Sequence, residues 1–126
     1  MFITFEGLDF SGKTTQAQLL ITALRNSGCS VLFLREPGGT RISERVREIL
    51  LDRGHVEMAD TTELLLFSAS RAQLVHEVIR PALGRGEIVV CDRYYDSTTA
   101  YQGYGRGVDL DAIRHINRIA TGGLPP

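Results

Sequence analysis

Of the fourteen basic residues in the sequence only Lys13 is a lysine; the others are arginines. Positive charge is therefore carried almost everywhere by planar guanidinium groups suited to bidentate anion contacts. The formal net charge is −1, so nothing in the charge balance predicts a nucleic-acid or membrane surface. No run approaches the roughly 18 apolar residues that a membrane-crossing helix needs. Met1 to Glu6 has neither the basic start nor the apolar stretch of a signal peptide, and the expected location is cytoplasmic. There are only two cysteines, Cys29 and Cys91, both in or beside strand-like runs, and buried free thiols are expected. No clustered Cys/His spacing suggests a zinc site. His55, His76 and His115 lie far apart, in surface or capping positions. Internal repeats and low-complexity segments are absent, and 126 residues suit one domain with a core of its own.

The pattern that is present alternates strands with helices. Phe2 to Glu6 is a short β-branched, apolar run, followed by a glycine-bearing loop and a helical pattern from Lys13 to about Asn26. Leu19, Leu20, Ala23 and Leu24 supply its apolar face, and Gly28 its stop. Ser30 to Leu34 reads as a second strand covered on both faces. After the Pro37-Gly38-Gly39 loop, Ile42, Val46, Ile49 and Leu50 mark a second amphipathic helix ending before Gly54. Asp60 and Glu63 have capping-box spacing ahead of a long helix to about Leu83, kinked or frayed near Pro81. Glu87 to Asp92 reads as the third strand and Tyr95 to Gly107 as a polar, glycine-rich loop. Asp109 caps a last helix that stops at Gly122-Gly123. The order β-α-β-α-α-β-α predicts an α/β fold with a parallel sheet flanked by helices. The expected architecture is of the P-loop NTPase type. The three strands are expected to be an incomplete copy of a five-stranded sheet, in which the first strand is central in the complete sheet and so lacks a partner on one edge here.

The strongest local signal is Gly7-Leu8-Asp9-Phe10-Ser11-Gly12-Lys13-Thr14, which matches the phosphate-loop pattern G-x-x-x-x-G-K-[ST]. The glycines let backbone N–H groups turn inward around a β-phosphate, and the following helix adds its N-terminal dipole. Lys13 reaches the β- and γ-phosphates, and the Thr14 hydroxyl is placed to ligate Mg²⁺. Asp92 ends the third strand beside this loop, where a carboxylate on the Mg²⁺ side belongs. ATP with Mg²⁺ is the expected cofactor pair.

A hydroxyl acceptor needs a base, whereas a nucleoside monophosphate is already a dianion near neutral pH. That acceptor calls mainly for guanidinium groups that hold a second polyanion against the first. Arg35 follows the second strand and Arg93 the third, so both point to the sheet edge that carries the phosphate loop, and Arg47 lies on the neighbouring helix. Arg25, Arg53, Arg85, Arg114 and Arg118 read as solvated. A guanine-reading N-K-x-D segment is excluded, because Lys13 is the only lysine.

Four further segments carry a specific resemblance. Arg35-Glu36-Pro37-Gly38-Gly39-Thr40, Leu66-Phe67-Ser68-Ala69-Ser70-Arg71, Asp92-Arg93-Tyr94 and Ser97-Thr98-Thr99-Ala100-Tyr101-Gln102-Gly103 resemble, in order and separation, the successive motifs of bacterial thymidylate kinases. The resemblance runs the length of the chain. It implies transfer of the γ-phosphate of ATP to dTMP, with Lys13, Asp9 and Arg93 in catalytic roles and residues 7–14 around ATP. Arg93, Arg35 and Arg47 would hold the dTMP phosphate, and Phe67 would stack on thymine. Arg71, Thr98 and Gln102 would bond the base edge, with Ser97 also in the dTMP site. Tyr101 would pack against the deoxyribose, and Asp9 would reach the 3′-OH or the attacking phosphate. Glu36 would support the acceptor-side arginines or the metal. ATP and dTMP are the implied partners, and a homodimer through the amphipathic helices fits the family.

Two positions depart from that pattern. Phe10 stands where the family usually has glycine; an L-residue there is expected to avoid positive φ and to face outward. Ser11 is not the arginine that some members place in the loop. Members without it resemble the subgroup that supplies this charge from an arginine-rich lid further along, and no such segment precedes Pro126. The expectation is a single nucleoside-monophosphate-kinase domain, 1–126, truncated before the lid and the last strands. A non-catalytic nucleotide-binding fragment, or another P-loop nucleotide or nucleoside kinase, is the alternative.

Overall fold

Three parallel strands form the sheet in the computed structural model, which describes residues 1–126. They are β1 (Phe2–Phe5), β2 (Val31–Arg35) and β3 (Ile88–Asp92), in the order β1-β3-β2. Within this chain β3 is central, and β1 lies at the sheet edge with one side unpaired, as expected of an incomplete sheet. The β3 run Val89-Val90-Cys91 is wholly buried, as a strand with neighbours on both edges and helices on both faces requires. Phe5 and Arg35 both pair with Asp92. This register brings the C-terminal ends of all three strands level, so Glu6, Glu36 and Arg93 leave the sheet side by side.

The strand period of two sorts the core into two layers. Val89, Cys91 and Leu34 face the helical stretch from Leu74 to Ala82, together with Tyr94. Val90 and Val31 face Ala17 and Ile21 of α1 (Lys13–Asn26). The buried face of α1 therefore runs through Ala17, Ile21 and, in part, Leu24, while Leu19 and Ala23 of the expected stripe are exposed. That stripe joined adjacent leucines that a 100° step separates; spacing of four from Ala17 picks the true face.

Helix α2 (Arg41–Leu51) also turns a different side inward. Ile42 and Ile49 are largely exposed, and buried Ser43 donates from Oγ to the Ser70 carbonyl at 2.8 Å. Helices α3 (Asp60–Leu74) and α4 (Arg80–Gly84) form one continuous column joined by a π-helical turn at Val75–Ile79. The wide turn stands immediately before Pro81, the residue expected to disturb this stretch.

Two expectations fail. The Asp60/Glu63 capping box does not form: Ala59 is the N-cap, Asp60 is already helical, and the Glu63 N–H bonds the Ala59 carbonyl, while the Glu63 carboxylate binds Gln102 and Arg106. Residues 95–105 are helical rather than looped, with α5 (Tyr95–Thr98) running into a second π-helical turn at Thr99–Gly105. Gly103 is needed there for close packing, since a Cβ would stand 2.7 Å from Leu110. The last helix, α6 (Leu110–Thr121), begins and ends as expected, on an Asp109 cap and a left-handed Gly122. Both cysteines are free thiols. No helix is long and apolar enough to cross a membrane.

Candidate active site

A cleft of about 1050 Å³ opens over the C-terminal edge of the sheet. One wall is the loop between β1 and α1. Gly7 and Gly12 take positive φ of 145° and 85°, and Gly12 caps α1 without any side-chain bond to the helix N-terminus. No acidic side chain occupies the first helical turn, so its N–H groups and the helix dipole are left for an anion. Lys13 Nζ donates to the Leu8 carbonyl at 2.9 Å, which draws the side chain back over its own loop. Thr14 Oγ1 donates to Asp92 Oδ2 at 2.8 Å. Phe10 adopts φ 61°, contrary to expectation, although its ring does face outward and is fully exposed.

The opposite wall is cationic. Arg47 donates to the Pro37 carbonyl at 2.7 Å, and Arg35 lies 3.3 Å from Glu44. Burial and the neighbouring Arg35 both push Arg47 below its ordinary value, as expected where two guanidiniums stand close without an anion between them. Arg93 reaches across the cleft floor to Asp9 of the loop at 2.7 Å and to Ser97 at 3.0 Å. Its charge also lies 5.5 Å from the Tyr101 ring centroid. Burial alone would lower Arg93, but Asp9 and Tyr101 outweigh it and raise it.

Behind these groups lies a buried polar network. Arg71, 2% exposed, donates to Glu36 Oε2 at 2.7 Å, Asn117 Oδ1 at 3.1 Å, Thr98 Oγ1 at 2.9 Å and the Tyr94 carbonyl at 3.2 Å. Glu36 Oε1 has no partner and is the one fully buried side-chain polar atom left so. Burial pushes the Glu36 carboxyl up to about 7, against the opposing pull of Arg71. Glu6 accepts from the Tyr94 N–H at 2.7 Å and from the Ser97 hydroxyl. It is likewise raised by burial, more than its hydrogen bonds lower it.

Lys13, Thr14, Asp9, Phe10, Ser11 and Gly12 line the cleft, as do Arg35, Glu36, Arg47, Phe67, Arg71, Asp92, Arg93, Ser97, Thr98, Tyr101 and Gln102. Gly7 and Leu8 of the expected set do not. Gly7 packs beneath the loop against Ser11 and Lys13, and Leu8 contributes its carbonyl. Sequence reasoning passed over Glu6, Glu63, Arg106 and Asn117. Glu6 had a usable signal, as the acid at the C-terminal end of β1. Glu63 had one too, standing four residues before Phe67 and eight before Arg71 on α3.

A phosphate loop and a facing set of arginines, on the C-terminal edge of a parallel sheet, define a P-loop α/β fold with room for two anionic groups. Comparison with known proteins narrows this. The family model described as thymidylate kinase matches residues 5–126. The chain is 61% identical over 126 residues to a thymidylate kinase of Roseiflexus castenholzii, covering all of this chain and 55% of that protein. It is 57% identical to one of Chlorobium luteolum, covering all of this chain and 58% of that protein. The crystal structure of thymidylate kinase from Ehrlichia chaffeensis superposes with a TM-score of 0.87 at 45% identity, over 95% of this chain and 67% of that one. The chain belongs to the thymidylate kinase family, and it spans a little over half the length of these curated relatives.

Proposed function

We propose that this chain forms the ATP- and dTMP-binding part of a phosphotransferase that moves the γ-phosphate of ATP to dTMP, giving dTDP. The observation that carries the proposal is the pair of anion-binding surfaces facing each other, joined by the 2.7 Å contact between Asp9 of the loop and Arg93 of the opposite wall. With ATP on the loop amides and Lys13, the γ-phosphate points toward Arg93. Arg35 and Arg47, converging on the same wall, suit the acceptor phosphate. Catalysis in this arrangement is positioning plus charge stabilisation. Arg93 is the group that touches both sides, and Asp9 holds it in place until substrate arrives.

The Thr14 hydroxyl and the Asp92 carboxylate, already converging at 2.8 Å, are hard oxygen donors that fit Mg²⁺. Bound Mg²⁺ supplies charge neutralisation at the β- and γ-phosphate oxygens. The acceptor end carries the aromatic face of Phe67 beside the polar groups of Arg71, Thr98 and Gln102, which suits a pyrimidine ring recognised at its edge.

A second reading, a nucleotide-binding unit without turnover of its own, is favoured by one feature: Lys13 is the only cation in the loop. Initial-rate assays with ATP and dTMP, dUMP, dCMP or UMP decide between them. The expected order places dTMP first, with dCMP and UMP poor. Equal rates with dCMP would remove the base assignment, and a dTMP-dependent rise in melting temperature without turnover would support the second reading.

A further inference from the structure

Glu63, Phe67 and Arg71 recur at intervals of four along α3 and so form one stripe, and all three line the cleft. Phe67 is the aromatic member of that stripe. One turn before it, Glu63 Oε1 accepts from Gln102 Nε2 at 2.6 Å, while Glu63 Oε2 accepts from Arg106 Nη2 at 3.2 Å. Asp60 adds a second carboxylate 3.6 Å from Arg106. Glu63 is thus clamped between the amide and the guanidinium.

The chemistry of this clamp settles the orientation of an amide. An ionised carboxylate can only accept hydrogen bonds, so the side of Gln102 that faces Glu63 must be its NH₂ group. Its carbonyl oxygen is then directed away from Glu63. Gln102 is otherwise buried, yet Oε1 takes part in no hydrogen bond and is not among the fully buried unpartnered atoms. It therefore opens into the cleft, which Gln102 and Phe67 both line.

We propose that Glu63 is a specificity-determining positioning residue: by binding the Gln102 amide NH₂ it fixes a hydrogen-bond acceptor at the base edge and so selects pyrimidines that carry a ring N3–H. Thymine and uracil offer that donor, whereas cytosine presents a bare N3 acceptor, which would face the Gln102 oxygen with no proton between them. Two buried acceptors opposed in this way leave both unsatisfied, the mismatch that gives polar recognition its sharpness. A flipped amide would accommodate cytosine, and the carboxylate of Glu63 forbids the flip. This inference rests on the phosphotransfer reading, since it takes a pyrimidine nucleotide as the occupant.

The test is calorimetric binding of dTMP, dUMP and dCMP to wild type, Glu63→Gln and Glu63→Ala. A glutamine at 63 can donate to Gln102 Oε1 as readily as it can accept from Nε2, so both amide orientations become available; alanine removes the constraint. The expected result is a fall of about tenfold or more in the affinity ratio of dTMP to dCMP in both variants. dUMP should follow dTMP, and some discrimination should remain from Arg71. Loosening of the helix would weaken all three nucleotides together, and that outcome, or an unchanged ratio, overturns the proposal. A wild type that binds none of the three overturns the phosphotransfer reading itself, an outcome separable from failure of the variants alone.

Discussion

Phe10 and Arg93 are the two non-glycine residues with left-handed backbone, at φ 61° and 73°, and different forces hold them there. At Arg93 the following peptide is tied down: Glu6 binds the Tyr94 N–H and the Ser97 hydroxyl, and this turn aims the guanidinium back at Asp9. Strain there is matched by function. Phe10 has no such tie, since its ring is in solvent. A side chain in this region costs about 1–2 kcal/mol, partly offset in a glycine variant by the greater freedom of its unfolded chain. Phe10→Gly should therefore raise stability by about 0.5–1 kcal/mol, read as a higher urea midpoint at unchanged slope. ATP affinity should stay within about threefold, because the loop path already has the glycine-like shape. A lower midpoint would show that the phenyl ring contributes something its exposure conceals.

At the scale of elements, a chain of buried hydroxyls runs through the join between α2 and α3. Thr40 caps α2, accepting from the Ser43 N–H at 3.0 Å and donating to Ser43 Oγ at 2.9 Å. Ser43 in turn donates to the Ser70 carbonyl, and Ser70 Oγ accepts from the Gly38 N–H at 3.3 Å. All three side chains are buried, so breaking the chain at Thr40 removes a cap and leaves Ser43 short of a partner. Thr40→Ala should cost about 2 kcal/mol, against about 1 kcal/mol for Asp109→Ala at the exposed cap of α6; denaturant midpoints of the two variants check the ratio. Legibility from sequence follows the same division. Elements set by local rules were readable: the phosphate loop, the helix starts at Lys13 and Leu110, and the three apolar strands. The inward face of α2 was not, because a serine occupies it and hydrophobic periodicity cannot register a hydroxyl contact. Residues 95–105 were misread because glycines and polar groups signal a loop, whereas Gly103 is there to let a helix approach Leu110 and Ile113. In the site, most residues that face the cleft were legible through motif, while Glu63 and Arg106 on its rim and Glu6 and Asn117 behind it were not. Their partners lie far along the chain, on the turn after β3, the π-helical turn and α3, so the contacts appear only in the folded structure.

Across the whole molecule the Arg71 network ties five separate parts of the chain to one another: Glu36 after β2, α3 itself, Tyr94 after β3, Thr98 of α5 and Asn117 of α6. Its weak point is electrostatic. Glu36 is 6% exposed with one oxygen unpartnered, and burial raises its carboxyl from 4.5 to about 7. The groups that face it are Arg71, which favours the anion, and Glu6, which opposes it. Cys91 and Tyr94, both raised mainly by burial, stay protonated throughout the acid and neutral range. Between pH 4.5 and about 7 the folded chain holds a proton on Glu36 that the unfolded chain has released. The unfolded state then binds fewer protons, and linkage makes stability fall as pH rises through this window, with the loss complete above it. Glu36→Gln keeps an oxygen for Arg71 Nε but removes the titration. Melting temperature from pH 5 to 7 should decline in wild type and decline less steeply in the variant, where Glu6 still supplies a residual slope. Parallel curves would mean that Glu36 is ionised at every pH in the range. Arg71 would then bind its partner strongly enough to overcome burial, and the network would be a fixed ion pair with no coupling to pH.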